Sequence, residues 1–316
     1  MPALPRIPPA VLRLVQISMT IGIFVVLWHV ADGETAVGRL ANATPGWLVA
    51  AFAALTLQTV LSALRWRLTA GQFGIVLNRR TAVREYYLSQ IVNQTLPGGF
   101  LGDAGRAVRA RAQAGLMASG QAVVFERLAG QIAIFVLLTL AFVATLVMPG
   151  GLDWPRWLLP GVTLLVLGGL SLPPGLWLVA RVLPGRAGRG LKQLGQGFML
   201  SVAAPAVRWR QLGLSLATAL CNVAAFSFCA AAIGAELPLV ASLALVPLIL
   251  FAMIIPISVS GWGLREGAAA ALFPITGAAA SEGLAASIAF GLVFLVAVLP
   301  GAVFLTLASP VRPMKS

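Results

Sequence analysis

Six apolar runs decide what this chain can fold into. Residues 11–30, 45–64, 122–148, 157–182, 212–233 and 284–307 carry almost no charge. Each is close to the ~20 residues that take an α-helix across the hydrocarbon of a bilayer. With 59% hydrophobic and 10% charged residues among 316, there is more apolar side chain than a soluble domain can enclose. The composition therefore points to an all-α, multi-pass membrane protein. A net charge of +13 would suggest nucleic acid as the partner of a soluble domain. Here the Arg and Lys residues gather between the apolar runs, where cytoplasmic loops and anionic headgroups account for them. No nucleic acid is expected.

Two stretches break the rules for hydrocarbon. The first runs from Asn93 through Pro97, Gly98, Gly99, Gly102 and Asp103 to Arg106; the second runs from Pro256 through Ser258, Ser260, Gly261, Trp262, Gly263, Arg265 and Glu266 to Gly267. Proline removes a backbone donor and glycine loosens the chain. Irregular backbone at membrane depth survives only against protein or a water-filled cavity. We expect two re-entrant helical hairpins, turning at Pro97, Gly98, Gly99 and Gly102 in the first and at Pro256, Gly261 and Gly263 in the second.

That assignment leaves six full transmembrane helices with both termini on one side. Placing that side in the cytoplasm puts every Lys and Arg there except Arg39, Arg156 and Arg265, as the positive-inside rule asks. Residues 1–150 and 157–308 then read span, span, hairpin, span in opposite orientations. Together they make an inverted-topology repeat within a single transmembrane domain, with the hairpin tips meeting near the midplane. A competing assignment makes 239–255 a full span, which puts Arg312 and Lys315 outside or needs another crossing.

Smaller expectations follow in chain order. Arg6 and Arg13 before an apolar run resemble a signal peptide, but the run is long enough to stay as an uncleaved first span. Asp32, Glu34 and Arg39 fall in a short outer loop. The second span ends near Leu64, followed by a basic segment, and Pro149-Gly150-Gly151 ends the third. Pro173-Pro174 should kink or divide the fourth span. Residues 191–202 are amphipathic enough to lie on the membrane surface. Cys221 and Cys229 sit eight residues apart on one expected helix, too far to bridge, and read as small buried residues.

Charge inside the bilayer is scarce, so it carries information. Asp103, Arg106, Glu126 and Arg127 belong to the first half, and Arg265 and Glu266 to the second. One reading is a polar cavity in which Arg106, Arg127 and Arg265 receive an anionic headgroup, since a guanidinium fork suits phosphate oxygens. Asp103, Glu126 and Glu266 would then hold the arginines or relay protons. The plainer reading is that Asp103–Arg106 and Arg265–Glu266 neutralise each other and staple the hairpins; the two readings are compatible. Asn93, Gln94, Thr95, Ser258 and Ser260 offer substrate contacts or helix caps. Catalysis is not expected. His29 is the only histidine, without carboxylate or Cys neighbours for a triad or a metal site, and no nucleotide phosphate loop is present, so no cofactor is expected.

In their order and spacing, Leu64-Arg65-Trp66, Asn93 through Pro97-Gly98, Gly102-Asp103 with Arg106, Glu126-Arg127 with Gly130, and Pro256 through Gly261, Gly263 and Arg265-Glu266-Gly267 resemble the flippase-like membrane domain of lysylphosphatidylglycerol synthases. Leu101 stands where that pattern would have another glycine. The soluble aminoacyl-transferase part of the best-known members is not in this sequence. The resemblance therefore implies lipid translocation rather than synthesis: a lipid flippase of the bacterial inner membrane, not an enzyme. Its partners would be phospholipid, polyprenyl-phosphate-linked or hopanoid-type lipids. Two alternatives stand beside it. One is a polyprenyl-phosphate-sugar glycosyltransferase or its accessory, using Asp32 and Glu34; the other is a non-transporting scaffold for envelope lipid assembly.

Overall fold

The computed structural model describes residues 9–96, 99–148, 151–254 and 258–307. Pro97, Gly98, Pro149, Gly150 and Pro256 lie outside the described residues, as do Arg6, Arg312 and Lys315. The described chain is helical throughout, without strands.

Helix α1 (Pro9–Val30) meets α2 (Gly33–Ala41) at 91°. The expected loop around Asp32 is thus mostly helix. Asp32 has left-handed backbone (φ 52°) and caps α2, its carboxylate accepting from the Thr35 backbone N–H at 3.3 Å and the Thr35 hydroxyl at 2.6 Å. Those bonds satisfy donors that the first turn of any helix leaves unpaired. They also hold the Asp32 carboxyl below the usual carboxylate range, the Thr35 hydroxyl contributing most.

Helix α3 (Pro45–Gly71) opens with proline at its first position, as the sequence suggested, but continues seven residues past Leu64. Arg65 and Arg67 are therefore helical. The apolar pattern fails at Arg65 because that residue is turned inward on a carboxylate, so the helix continues where its hydropathy drops.

Helix α4 (Arg79–Thr95) and the first limb of α5 (Leu101–Val147) form an antiparallel hairpin. Asn93 contacts Gly102, Ser89 contacts Asp103 and Glu85 contacts Arg109, so one sequence position rises as the other falls. Gly102 lies inside α5 rather than in the turn. A Cβ there would come within 2.0 Å of the Ser89 carbonyl oxygen, so the glycine sets how closely the limbs approach. Gly99, with φ 63°, is in the turn. The limb and the third apolar run are continuous apart from Gly115, whose φ of 81° and ψ of 164° break the helix; a side chain would be strained at that φ.

Helix α6 (Leu159–Val182) runs undivided through Pro173 and Pro174, and only Val162 and Val166 are buried. The amphipathic stretch forms α7 (Gly185–Phe198) and a π-helical turn, Met199–Ala203. Helix α8 (Arg208–Ala232) packs against α3 over its full length: Thr44 N–H donates to the Ala232 carbonyl at 2.8 Å, and Gln211 Nε2 donates to Thr69 Oγ1 at 2.6 Å. Small side chains are buried on both helices, and Ala51 of α3 shares a buried cluster with Ala225 and Ala230 of α8. Small side chains let membrane helices approach closely where water does not drive association.

Helix α9 (Leu239–Phe251) ends in a 3-10 turn, Ala252–Ile254. The chain is next described at Ser258, forms a second turn at Val259–Gly261, and enters α10 (Leu264–Leu272). Gly261 and Gly263 both have positive φ, 79° and 89°. Helix α11 (Ala280–Val298) begins earlier than expected and is followed by α12 (Pro300–Leu307). Among the described residues, five helices are long and apolar enough to cross a membrane: α3, α5, α6, α8 and the run Ala280–Phe304. The number is six if the bent pair α1–α2 is one span.

Candidate functional site

The polar interior of the first half is built from α3, α4 and α5. Arg106 is fully buried and bridges two carboxylates, Asp103 at 2.8 Å and Glu126 at 3.1 Å. Its guanidinium lies 4.6 Å from the Trp66 ring centroid and 4.5 Å from that of Tyr86. The Nε and Nη1 of Arg106 have no hydrogen-bond partner among the described residues. The two π-faces stand in that place, an arrangement worth ~2 kcal/mol when desolvated.

Glu126 is shared. Its Oε1 accepts from Arg65 Nη2 at 2.6 Å, from Arg65 Nε at 3.1 Å and from the Tyr86 hydroxyl at 3.3 Å. Asp103 accepts from the Ser89 hydroxyl at 2.8 Å and from Asn93 Nδ2 at 3.1 Å, and it pairs with Arg127. Asn93 also accepts the Gly102 N–H at 2.8 Å, so one amide on α4 makes two bonds to the start of α5. Three arginines thus meet two carboxylates in one connected network.

The second half has a smaller counterpart. Arg265 and Glu266 are 2% and 0% exposed and pair directly, with Arg265 Nε 3.0 Å from Glu266 Oε1. Ser287 on α11 accepts from Arg265 Nε at 2.9 Å and donates to Glu266 at 3.0 Å. Glu266 Oε2 accepts the Gly263 N–H at 2.6 Å, fastening the start of α10. The guanidinium lies over Trp262 and Phe290, at 5.0 and 5.2 Å. Each cluster therefore sets an arginine against a carboxylate on one side and two aromatic rings on the other.

The two interruptions touch. The Ser260 hydroxyl donates to the backbone carbonyl of Asn93 at 2.6 Å, and Val259 N–H donates to Thr20 Oγ1 on α1 at 3.0 Å. The fold thus brings together Asn93, Asp103, Arg106, Glu126 and Arg127, and separately Arg265 and Glu266. Arg106 and Arg265 face carboxylates and rings in closed surroundings. Arg127 differs: its side chain is 46% exposed, and its Nη2 approaches the Gly99 carbonyl at 3.4 Å at the hairpin tip. Arg65, which the sequence reading did not count as a site residue, is as central as any. No group of three or more metal-ligating side chains occurs among the described residues.

An apolar helical bundle with ion pairs buried at two helix breaks defines a polytopic membrane protein. The chain belongs to the family described as the lysylphosphatidylglycerol synthase TM region, whose model matches residues 13–301. That family places it among membrane proteins of lipid metabolism or transport. No curated protein and no solved structure matches the chain.

Proposed function

We propose that this protein moves an amphiphilic, phosphate-bearing lipid between the leaflets of a bacterial inner membrane, as a transporter and not an enzyme. In this reading the α4–α5 and α9–α10 segments are re-entrant hairpins entering from opposite faces, related as an inverted repeat, with both termini cytoplasmic. The observation that supports it is Arg127. It is a half-exposed guanidinium at the tip of the first hairpin, held by Asp103 beside the contact between Ser260 and Asn93. A headgroup reaching the tips meets Arg127 first. Arg106, Arg265, Glu126 and Glu266 position the hairpins, and the tails stay in lipid. Equilibration down the lipid's own gradient is the simplest energetics.

The test is leaflet exchange in vesicles containing the purified protein, with labelled phospholipid, polyprenyl-phosphate and hopanoid-type lipids. Acceleration that Arg127→Gln slows severalfold supports the reading. Exchange no faster than in empty vesicles for every lipid overturns it. The closed surroundings of Arg106 and Arg265 favour one other reading, a scaffold in envelope lipid assembly. In that case Arg127→Gln leaves cellular function intact and no exchange is seen.

A further inference from the structure

A second set of arginines lies apart from both clusters. Arg67 near the end of α3, Arg79 at the start of α4 and Arg210 at the start of α8 line one groove of ≈ 690 Å³. Leu64, Leu68 and Leu214 complete its apolar wall. No ion pair reaches any of the three arginines among the described residues. No Asp or Glu occurs in residues 64–79 or 204–214. Two positions before Arg67, Arg65 is neutralised by Glu126; the groove's own arginines are left unbalanced.

One of the groove's arginines is also held in place. Arg67 Nε donates to the Leu77 carbonyl at 2.7 Å, which fixes that guanidinium at the edge where the chain turns from α3 into α4. Because α3 and α8 are antiparallel and each long enough to span, the end of α3 and the start of α8 mark one membrane border. A cavity at that border, lined by both arginines and aliphatic side chains, matches a molecule with a phosphate joined to a hydrocarbon chain. Arginine is suited to this because its fork binds phosphate oxygens in pairs. We infer that this groove is a binding site for the phosphate of an anionic phospholipid headgroup, outside the hairpin region and independent of whether the protein transports lipid.

The experiment uses the full chain in phosphatidylcholine nanodiscs with and without phosphatidylglycerol or phosphatidic acid, released into the gas phase so that retained lipids are counted by native mass spectrometry. The wild type should retain the anionic lipids over phosphatidylcholine. Arg79→Gln with Arg210→Gln, which leaves the Arg67–Leu77 bond in place, should cut that preference severalfold to about tenfold. Arg80→Gln with Arg208→Gln removes the same charge from neighbouring positions off the groove and should keep it. Titration with inorganic phosphate separates the sources. Lipid retention that phosphate does not reverse assigns the site to headgroups, whereas full displacement at millimolar phosphate overturns that assignment in favour of a soluble phosphate compound. Equal retention by both double variants, or no preference in the wild type, overturns the site itself. Binding without leaflet exchange would sink the transport reading and leave this one standing.

Discussion

Ser260 donates its hydroxyl hydrogen to the main-chain carbonyl of Asn93, 167 residues away, at 2.6 Å. The bond joins the tips of two broken segments and has one further peculiarity: Ser260 holds a φ of 52°. Glycine accepts that φ freely, so Ser260→Gly removes the hydrogen bond without adding backbone strain. We expect a loss of about 1 kcal/mol, read as a lower thermal midpoint in detergent. Ser260→Ala, which keeps a Cβ at that φ, should lose as much or more, and unchanged midpoints for both variants would mean that the tips do not hold one another.

The buried charges should rank by how many partners each leaves stranded. Glu126→Gln strips two buried arginines, Arg65 and Arg106, of a carboxylate and should destabilise by roughly 3–5 kcal/mol. Asp103→Asn should cost less, because Arg106 keeps Glu126 and the half-exposed Arg127 returns to water. Thermal unfolding of the two variants side by side gives the order; the reverse order would contradict the network described above.

Gly291 faces the second cluster. A Cβ at that position would lie 2.4 Å from Arg265 Nη2 and 2.5 Å from the Trp262 ring. Gly291→Ala must therefore push the guanidinium away from Glu266, at a cost of about 1–3 kcal/mol. Gly46→Ala, with open space around the new methyl, is the control. Equal midpoints for the two variants would remove Gly291 from the cluster's design.

Asp32 distinguishes a cap from a catalytic carboxylate. Its folded-state pKa is depressed by Thr35, so the cap is fully present above the unfolded value near ~3.9 and is lost as pH falls through the lower folded value. Asparagine caps as well as aspartate. Hydrogen exchange over residues 33–41 should therefore stay slow in Asp32→Asn at neutral pH and quicken in Asp32→Ala. If Asp32→Asn abolishes function with α2 still protected, the carboxylate acts in chemistry and the glycosyltransferase alternative gains.

Much of the polar architecture was visible in the residues themselves. Asp103 and Arg106 are three apart on a helix, a spacing that puts side chains on one face, and they pair. Glu126 and Arg127 are adjacent, so on the same helix they point about 100° apart. They serve different partners, Arg65 with Arg106 and Asp103 respectively, which adjacency in the chain conceals. Arg65 was hidden for another reason. A charged residue at the end of an apolar run reads as the water boundary, and only the fold shows that a carboxylate 61 positions away receives it. The groove lined by Arg67, Arg79 and Arg210 was equally hidden, since the start of α8 lies far in sequence from the α3–α4 turn that it meets.

The first cluster contains three arginines and two carboxylates, the second one of each. By formal count the seam beside the first hairpin therefore holds a surplus positive charge. Any polar path through a membrane threatens to short-circuit the ion gradients across it. A fixed guanidinium surplus repels sodium and hydronium alike. If lipid is transported as proposed, the arrangement that receives an anionic headgroup would also keep cations out of its path.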